Sequence, residues 1–159
     1  MTINDILNNY DKLSSDQKMV AHKQIIKEYP FMQQFDGKGH KLNSSWLGAI
    51  PIGWRISFFK DFLDELKTEL IKYNFLYKYA VLDVKEKFGA FRWYDYGHPS
   101  DSRIDEIIKK YANLSDKTCI ICGKSGKITT VYEQFLPLCK ECKKHDKDIK
   151  KYIESKEIK

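Results

Sequence analysis

No cysteine precedes position 119, and the four in the chain all fall between 119 and 142. A disulfide framework spread over the whole chain is thereby excluded, and thiol chemistry is confined to the last quarter. No stretch approaches the roughly 20 consecutive apolar residues of a membrane helix. The start, Met1-Thr2-Ile3-Asn4-Asp5, has neither the basic stretch nor the apolar core of a signal peptide. A cytosolic protein with reduced thiols is therefore expected. There is no repeat with a period of 20–50 residues and no low-complexity tract. Histidine is scarce, and no Ser-His-Asp or Cys-His arrangement is legible along the chain.

The 159 residues suffice for one ordinary core plus a small satellite. Aromatic residues are plentiful at 14%, with ten Tyr, nine Phe and three Trp. The net charge of +6 is unevenly placed: from Lys117 to Lys159 there are eleven Lys against six Asp and Glu. A zinc ion held by four thiolates would bring that tail to about +3, which weakens the case for nucleic acid made by the raw charge.

The reading of the elements begins with a short helix over 2–9. A second starts after Leu13, where Ser14-x-x-Gln17 forms a capping box, carries Met19, Ala21, Ile25, Ile26 and Tyr29 as a partial stripe, and stops at Pro30. Residues 36–53 read as a long loop. One helix is expected from Trp54 to Tyr73, because Phe59, Phe62, Leu63, Leu66, Leu70 and Tyr73 recur on one face. Tyr79–Glu86 and Phe91–Tyr96 read as strands of a hairpin turning at Lys87-Phe88-Gly89-Ala90. Pairing Val84 with Trp93, and Glu86 with Phe91, puts Leu82, Val84, Phe91 and Trp93 on one face. Asp83, Lys85, Arg92 and Tyr94 take the other. A helix capped by Asp101 or Ser102 follows, with Ile104, Ile107, Ile108 and Tyr111 inside.

Cys119-x2-Cys122 and Cys139-x2-Cys142 are separated by sixteen residues. Two matched pairs at this spacing point to a tetrahedral zinc site, with Cys119, Cys122, Cys139 and Cys142 as ligands. Gly123 permits the tight turn after the first pair. Ile128–Phe135 has strand character, and the second pair opens a Lys-rich helix whose inner stripe is Ile149, Tyr152 and Ile153. This order of knuckle, hairpin and helix resembles a treble-clef zinc finger over residues 117–155. Four cysteines close the coordination shell, so the metal is expected to be structural rather than catalytic. Leu138-Cys139-Lys140-Glu141-Cys142 also resembles the zinc half of HNH nucleases. That family's catalytic histidines have no counterpart: residues 123–138 contain no His, and Lys143 follows the last Cys where the family has His.

The segment Val84-Lys85-Glu86-Lys87-Phe88-Gly89-Ala90-Phe91-Arg92-Trp93-Tyr94 interleaves cations with aromatics. With Gly53-Trp54 upstream and Cys119-x-x-Cys122-Gly123 downstream, it resembles a family of small uncharacterised proteins of bacteriophages and prophages. The likeness spans residues 53–142. Ala90 departs from it where a second Gly is usual, and the second Cys pair departs where Cys and His are common. The resemblance implies a viral origin and carries no activity.

The expected architecture is α+β: helices packed on a small antiparallel hairpin in a body over 1–116, with a four-cysteine treble-clef zinc module docked at 117–159. The expected function is non-enzymatic binding of a host component, protein or nucleic acid, with no membrane partner. The alternatives are direct nucleic-acid binding through the basic hairpin and finger, and an HNH-like nuclease or hydrolase. Lys85, Lys87, Arg92 and Tyr94 on the hairpin, with Lys143 and Lys144 on the finger, are the candidate contacts. The turn Asp36-Gly37-Lys38-Gly39-His40, His98, and the helix acids Asp61, Asp64 and Glu65 are weaker candidates, better explained as a turn, a turn residue and a solvated face.

Overall fold

The computed structural model describes residues 1–157, so the last two positions of the 117–159 span lie outside the described residues. Helix α1 (Ile3–Asn9) opens with a capping box between Thr2 and Asp5. Helix α2 (Ser15–Glu28) opens with the expected box between Ser14 and Gln17. Ala21, His22 and Ile25 form its buried face and Tyr29, at its C-cap, is buried too; of the expected stripe only Met19 is exposed.

The long loop expected over 36–53 holds regular structure. Strand β1 (Gln33–Phe35) pairs with β2 (Lys41–Ser45), and a 3₁₀ turn, Trp46–Ala49, follows. Only the tip remains a turn, where Asp36 accepts from the backbone N–H groups of Lys38 and His40. The β2 residues are nearly all polar, so no alternation betrayed them.

The single helix expected over 54–73 is two. Helices α3 (Ile52–Ser57) and α4 (Phe59–Lys72) meet at Phe58, whose φ of −128° breaks the α-geometry. The break lets the Phe58 ring stack on Tyr111 at 5.8 Å and meet Phe91 edge-on at 6.0 Å. Periodicity continues across the break and therefore concealed it.

Strands β3 (Val81–Lys87) and β4 (Ala90–Asp95) have the expected register, Val84 opposite Trp93 and Glu86 opposite Phe91. One detail differs: a bulge between Val81 and Asp83 turns Val81 inward and leaves Leu82 exposed. The turn is the two-residue pair Phe88-Gly89, both at positive φ (54° and 81°), as a type I′ hairpin requires. The inner face meets α4, with Phe62 edge-on to Trp93 at 4.8 Å and to Phe91 at 5.2 Å. This ring cluster is the centre of the core.

Helix α5 (Ile104–Ser115) packs on β4 and α4. Neither Asp101 nor Ser102 caps it. Arg103 stands at the N-cap, and its backbone N–H donates to Glu69 Oε1 of α4 at 3.1 Å. The cysteine-bearing segment, for short the finger, follows as strands β5 (Lys127–Val131) and β6 (Gln134–Leu138), then helices α6 (Lys140–Lys143) and α7 (Asp146–Glu157). Its hairpin thus extends three residues past Phe135, turning at Tyr132-Glu133. The fold is α+β with three two-stranded antiparallel sheets among the described residues. No helix among them is long and apolar enough to cross a membrane.

Candidate metal centre

Two turns bring the cysteines together. In the first, the N–H of Gly123 donates to Cys119 O at 3.0 Å and that of Cys119 to Lys124 O at 2.7 Å, folding the chain back on itself. Gly123, at φ 82°, supplies the left-handed residue. In the second, Cys139 is the N-cap of α6, and its sulfur accepts from the Cys142 N–H at 3.3 Å. The four Sγ atoms lie within 4.8 Å of one another, and Cys122 and Cys139 are 3.6 Å apart. An ion with tetrahedral bonds of about 2.3 Å would hold its sulfurs about 3.8 Å apart, so the cluster has the size of one metal site.

The backbone N–H of Cys142 pulls the Cys139 thiol down to about 7. Burial pushes the Cys122 and Cys142 thiols up. Cys119 is fully buried and Cys142 nearly so. Four thiolates form a soft, closed donor set.

The cluster is wedged into the body. The N–H of Gly53 donates to Ile120 O at 2.9 Å, and the indole of Trp54 donates to Thr118 O at 3.0 Å. A Cβ at Gly53 would lie 2.1 Å from Cys119 O and 2.6 Å from Ile120 C; one at Gly123 would lie 2.7 Å from Gly53 O. Backbone thus meets backbone with no space for a methyl. At the other end of the finger, a Cβ at Gly89 would lie 2.4 Å from Ile128 Cδ1 and 2.9 Å from Phe135 O. The Glu86 side chain, 3% exposed, accepts from Lys156 Nζ at 2.5 Å, Tyr152 Oη at 2.7 Å and the Gly89 N–H at 3.0 Å. Burial, then the Glu86 charge, raises the Tyr152 phenol, which keeps it a donor.

The C-terminal segment is therefore held at two places: Gly53-Trp54 meets the Cys119–Gly123 knuckle, and Glu86 to Gly89 meets the β5–β6 hairpin and α7. Glu86 was not among the sequence candidates. Its signal was present in the register, which set a carboxylate opposite the inward-facing Phe91.

The candidate contact residues do not form one cluster. Tyr94 and Lys85 share the outer face of the β3–β4 hairpin with Arg92. Lys85 pairs with Asp83 at 3.0 Å and lies 5.7 Å over the Tyr94 ring. Lys87 lies beside Phe88 at the tip. Lys143 and Lys144 are exposed at the end of α6, on the finger. Among the weaker candidates, His40 is exposed and held by Asp36. Of the helix acids Asp61 is exposed, as expected of a solvated face, whereas Asp64 accepts from Tyr29 and Lys60, and Glu65 from Lys110 and Tyr111. His98 sits between Asp95 (2.8 Å) and Asp105 (3.1 Å). The same Asp95 accepts from buried Tyr79, so this group closes the open end of the β3–β4 hairpin.

No protein-family model, curated protein or solved structure matches this chain.

Proposed function

We propose that this chain is a zinc-stabilised binding protein without catalytic activity, encoded by a phage and acting on a component of its host. The observation that carries this reading is the closed set of four cysteines seated against Gly53 and Trp54. Four thiolates fill a tetrahedral shell, so zinc held there has no position for water or substrate. Its role is to fold the finger and press it onto the body. The order of knuckle, hairpin and helix, with the second ligand pair at the start of α6, supports a treble clef. The phage origin rests on the likeness of the 53–142 motifs.

The test is elemental analysis of protein purified under reducing conditions. One zinc per chain is expected, with iron absent. Stripping the metal with a strong chelator should abolish amide-exchange protection in 117–157 first, because apparent zinc-binding energies of about 10–16 kcal/mol are folding energy in small fingers. Substoichiometric metal, or unchanged protection after stripping, refutes the reading.

A further inference from the structure

The inner face of the β3–β4 hairpin is core, while on its outer face Lys85, Tyr94 and Tyr96 are exposed and Arg92 is half-buried. Strand register sets Lys87/Ala90, Lys85/Arg92 and Asp83/Tyr94 outward, and the N–H of Tyr96 donates to Ala80 O to continue the pattern. Tyr96, Tyr94 and Arg92 therefore stand in a row along one strand, about 6.7 Å apart. Tyr94 is 45% exposed and Tyr96 68%.

Two features of this face cost stability. Lys85 lies directly opposite Arg92, and like charges across a hairpin are unfavourable. Phe88 takes a left-handed conformation that bulky residues avoid, yet its ring is 66% exposed and gains little burial in return. Asp83 offsets Lys85. Arg92 has no carboxylate partner among the described residues, and its Nε is buried without a hydrogen bond. Lys87 is likewise without a carboxylate partner there, lying instead over the Phe88 ring.

We propose that this face binds single-stranded nucleic acid, with bases stacked on Tyr94 and Tyr96 and phosphates drawn to Lys85, Arg92 and Lys87. The proposal rests on the binding-protein reading above and gives it a partner. Rings beside cations at strand spacing match a chain whose bases expose π-faces and whose backbone is anionic. A duplex keeps its bases stacked on one another and offers the rings nothing. An acidic peptide would use the cations and leave the tyrosines idle.

The experiment is fluorescence anisotropy of zinc-loaded full-length protein with fluorescein-labelled dT20, rU20 and a 20-base-pair duplex. Both single strands should bind more tightly than the duplex, and their ratio shows whether DNA or RNA is preferred. Three neutralised phosphates give a log–log salt slope of about −2, so affinity should fall about 20-fold between 50 and 200 mM NaCl. Tyr94→Ala and Tyr96→Ala should each weaken binding about 5- to 150-fold with the salt slope unchanged. Lys85→Gln with Arg92→Gln should flatten the slope. Zinc content and melting temperature show that each variant is folded, and Tyr96, the more exposed ring, is the safer substitution. Binding that ignores both tyrosines, equal affinity for the duplex, displacement by a poly-glutamate peptide as effective as by dT20, or no binding at all overturns the proposal. If zinc remains stoichiometric in any of these cases, the proposed finger still stands.

Discussion

Gly53→Ala is the sharpest test of how the finger is held. Gly53 lies in α3, where replacing Gly by Ala ordinarily stabilises a helix by about 1 kcal/mol. The structure demands the opposite sign. The new methyl would stand 2.1 Å from Cys119 O, with Ile120 C and O at 2.6 and 2.8 Å, all backbone atoms that no rotamer change can remove. Relief requires the knuckle to retreat by more than an ångström. That movement breaks the hydrogen bonds from Gly53 N–H and the Trp54 indole, each worth about 1 kcal/mol, and opens a gap over Trp54, which is fully buried. A gap of that kind costs about 2 kcal/mol more. After subtracting the helix gain, the net loss is about 3 kcal/mol, a fall in melting temperature of about 6–12 °C for a chain of this size. Urea denaturation followed by Trp fluorescence and far-UV circular dichroism measures it. Gly37→Ala is the control, because nothing lies within 4 Å of a Cβ there. A Gly53→Ala protein as stable as the parent, or more stable, refutes the wedge.

Glu86→Gln should cost about 2 kcal/mol, since hydrogen bonds to a charged group lose most when the charge is removed. Lys156→Met should cost less on that background than alone; strictly additive costs in urea denaturation would contradict a shared socket. His98 gives a pH dependence. Burial alone would lower its pKa, but the hydrogen bond and charge of Asp95, followed by those of Asp105, outweigh burial and raise it. Its stabilising contribution is therefore complete below the ordinary value of 6.5 and disappears as pH rises through the elevated folded value. The melting-temperature gap between parent and His98→Gln should be widest near pH 5.5 and close in alkaline buffer; a gap that widens with pH would reverse the assignment. Phe88→Asn should raise the melting temperature by about 2–4 °C, because Asn accepts the left-handed turn at about 1 kcal/mol lower cost. A drop would mean that the exposed ring is part of the packing.

The clustering of the four cysteines was legible because two features, residue type and spacing, specify it locally. The hairpin register was legible because Val84, Phe91 and Trp93 alternate cleanly with charge. The breaks in the helices were not. Phe58 keeps the apolar spacing while leaving the helix, since what it gains is a stack on Tyr111, 53 positions away. The β1–β2 pair escaped for the reverse reason: its residues bury little and carry no pattern. Neither Asp101 nor Ser102 caps α5: Arg103 holds the N-cap position, and the carboxylate that receives its N–H, Glu69, arrives from another element.

The segment from Val84 to Tyr94 shows why a motif should be read with its period. As a string it mixes cations, an acid and rings, and invites a single role. Folded at period two, it separates into two half-motifs. Val84, Glu86, Phe91 and Trp93 point inward, where they build the core and, through Glu86, receive α7. Lys85, Lys87, Arg92 and Tyr94 point outward. The inner set is fixed by packing and by Lys156 and Tyr152; the outer set is more exposed and carries the unfavourable charge pair. Substitutions in the two sets should therefore divide by readout, the inner set moving stability and metal retention, the outer set moving affinity at constant stability. A variant of Lys85, Arg92 or Tyr94 that loosened the finger would show that the two faces are not independent, and the assignment of the outer face to a partner would lose its basis.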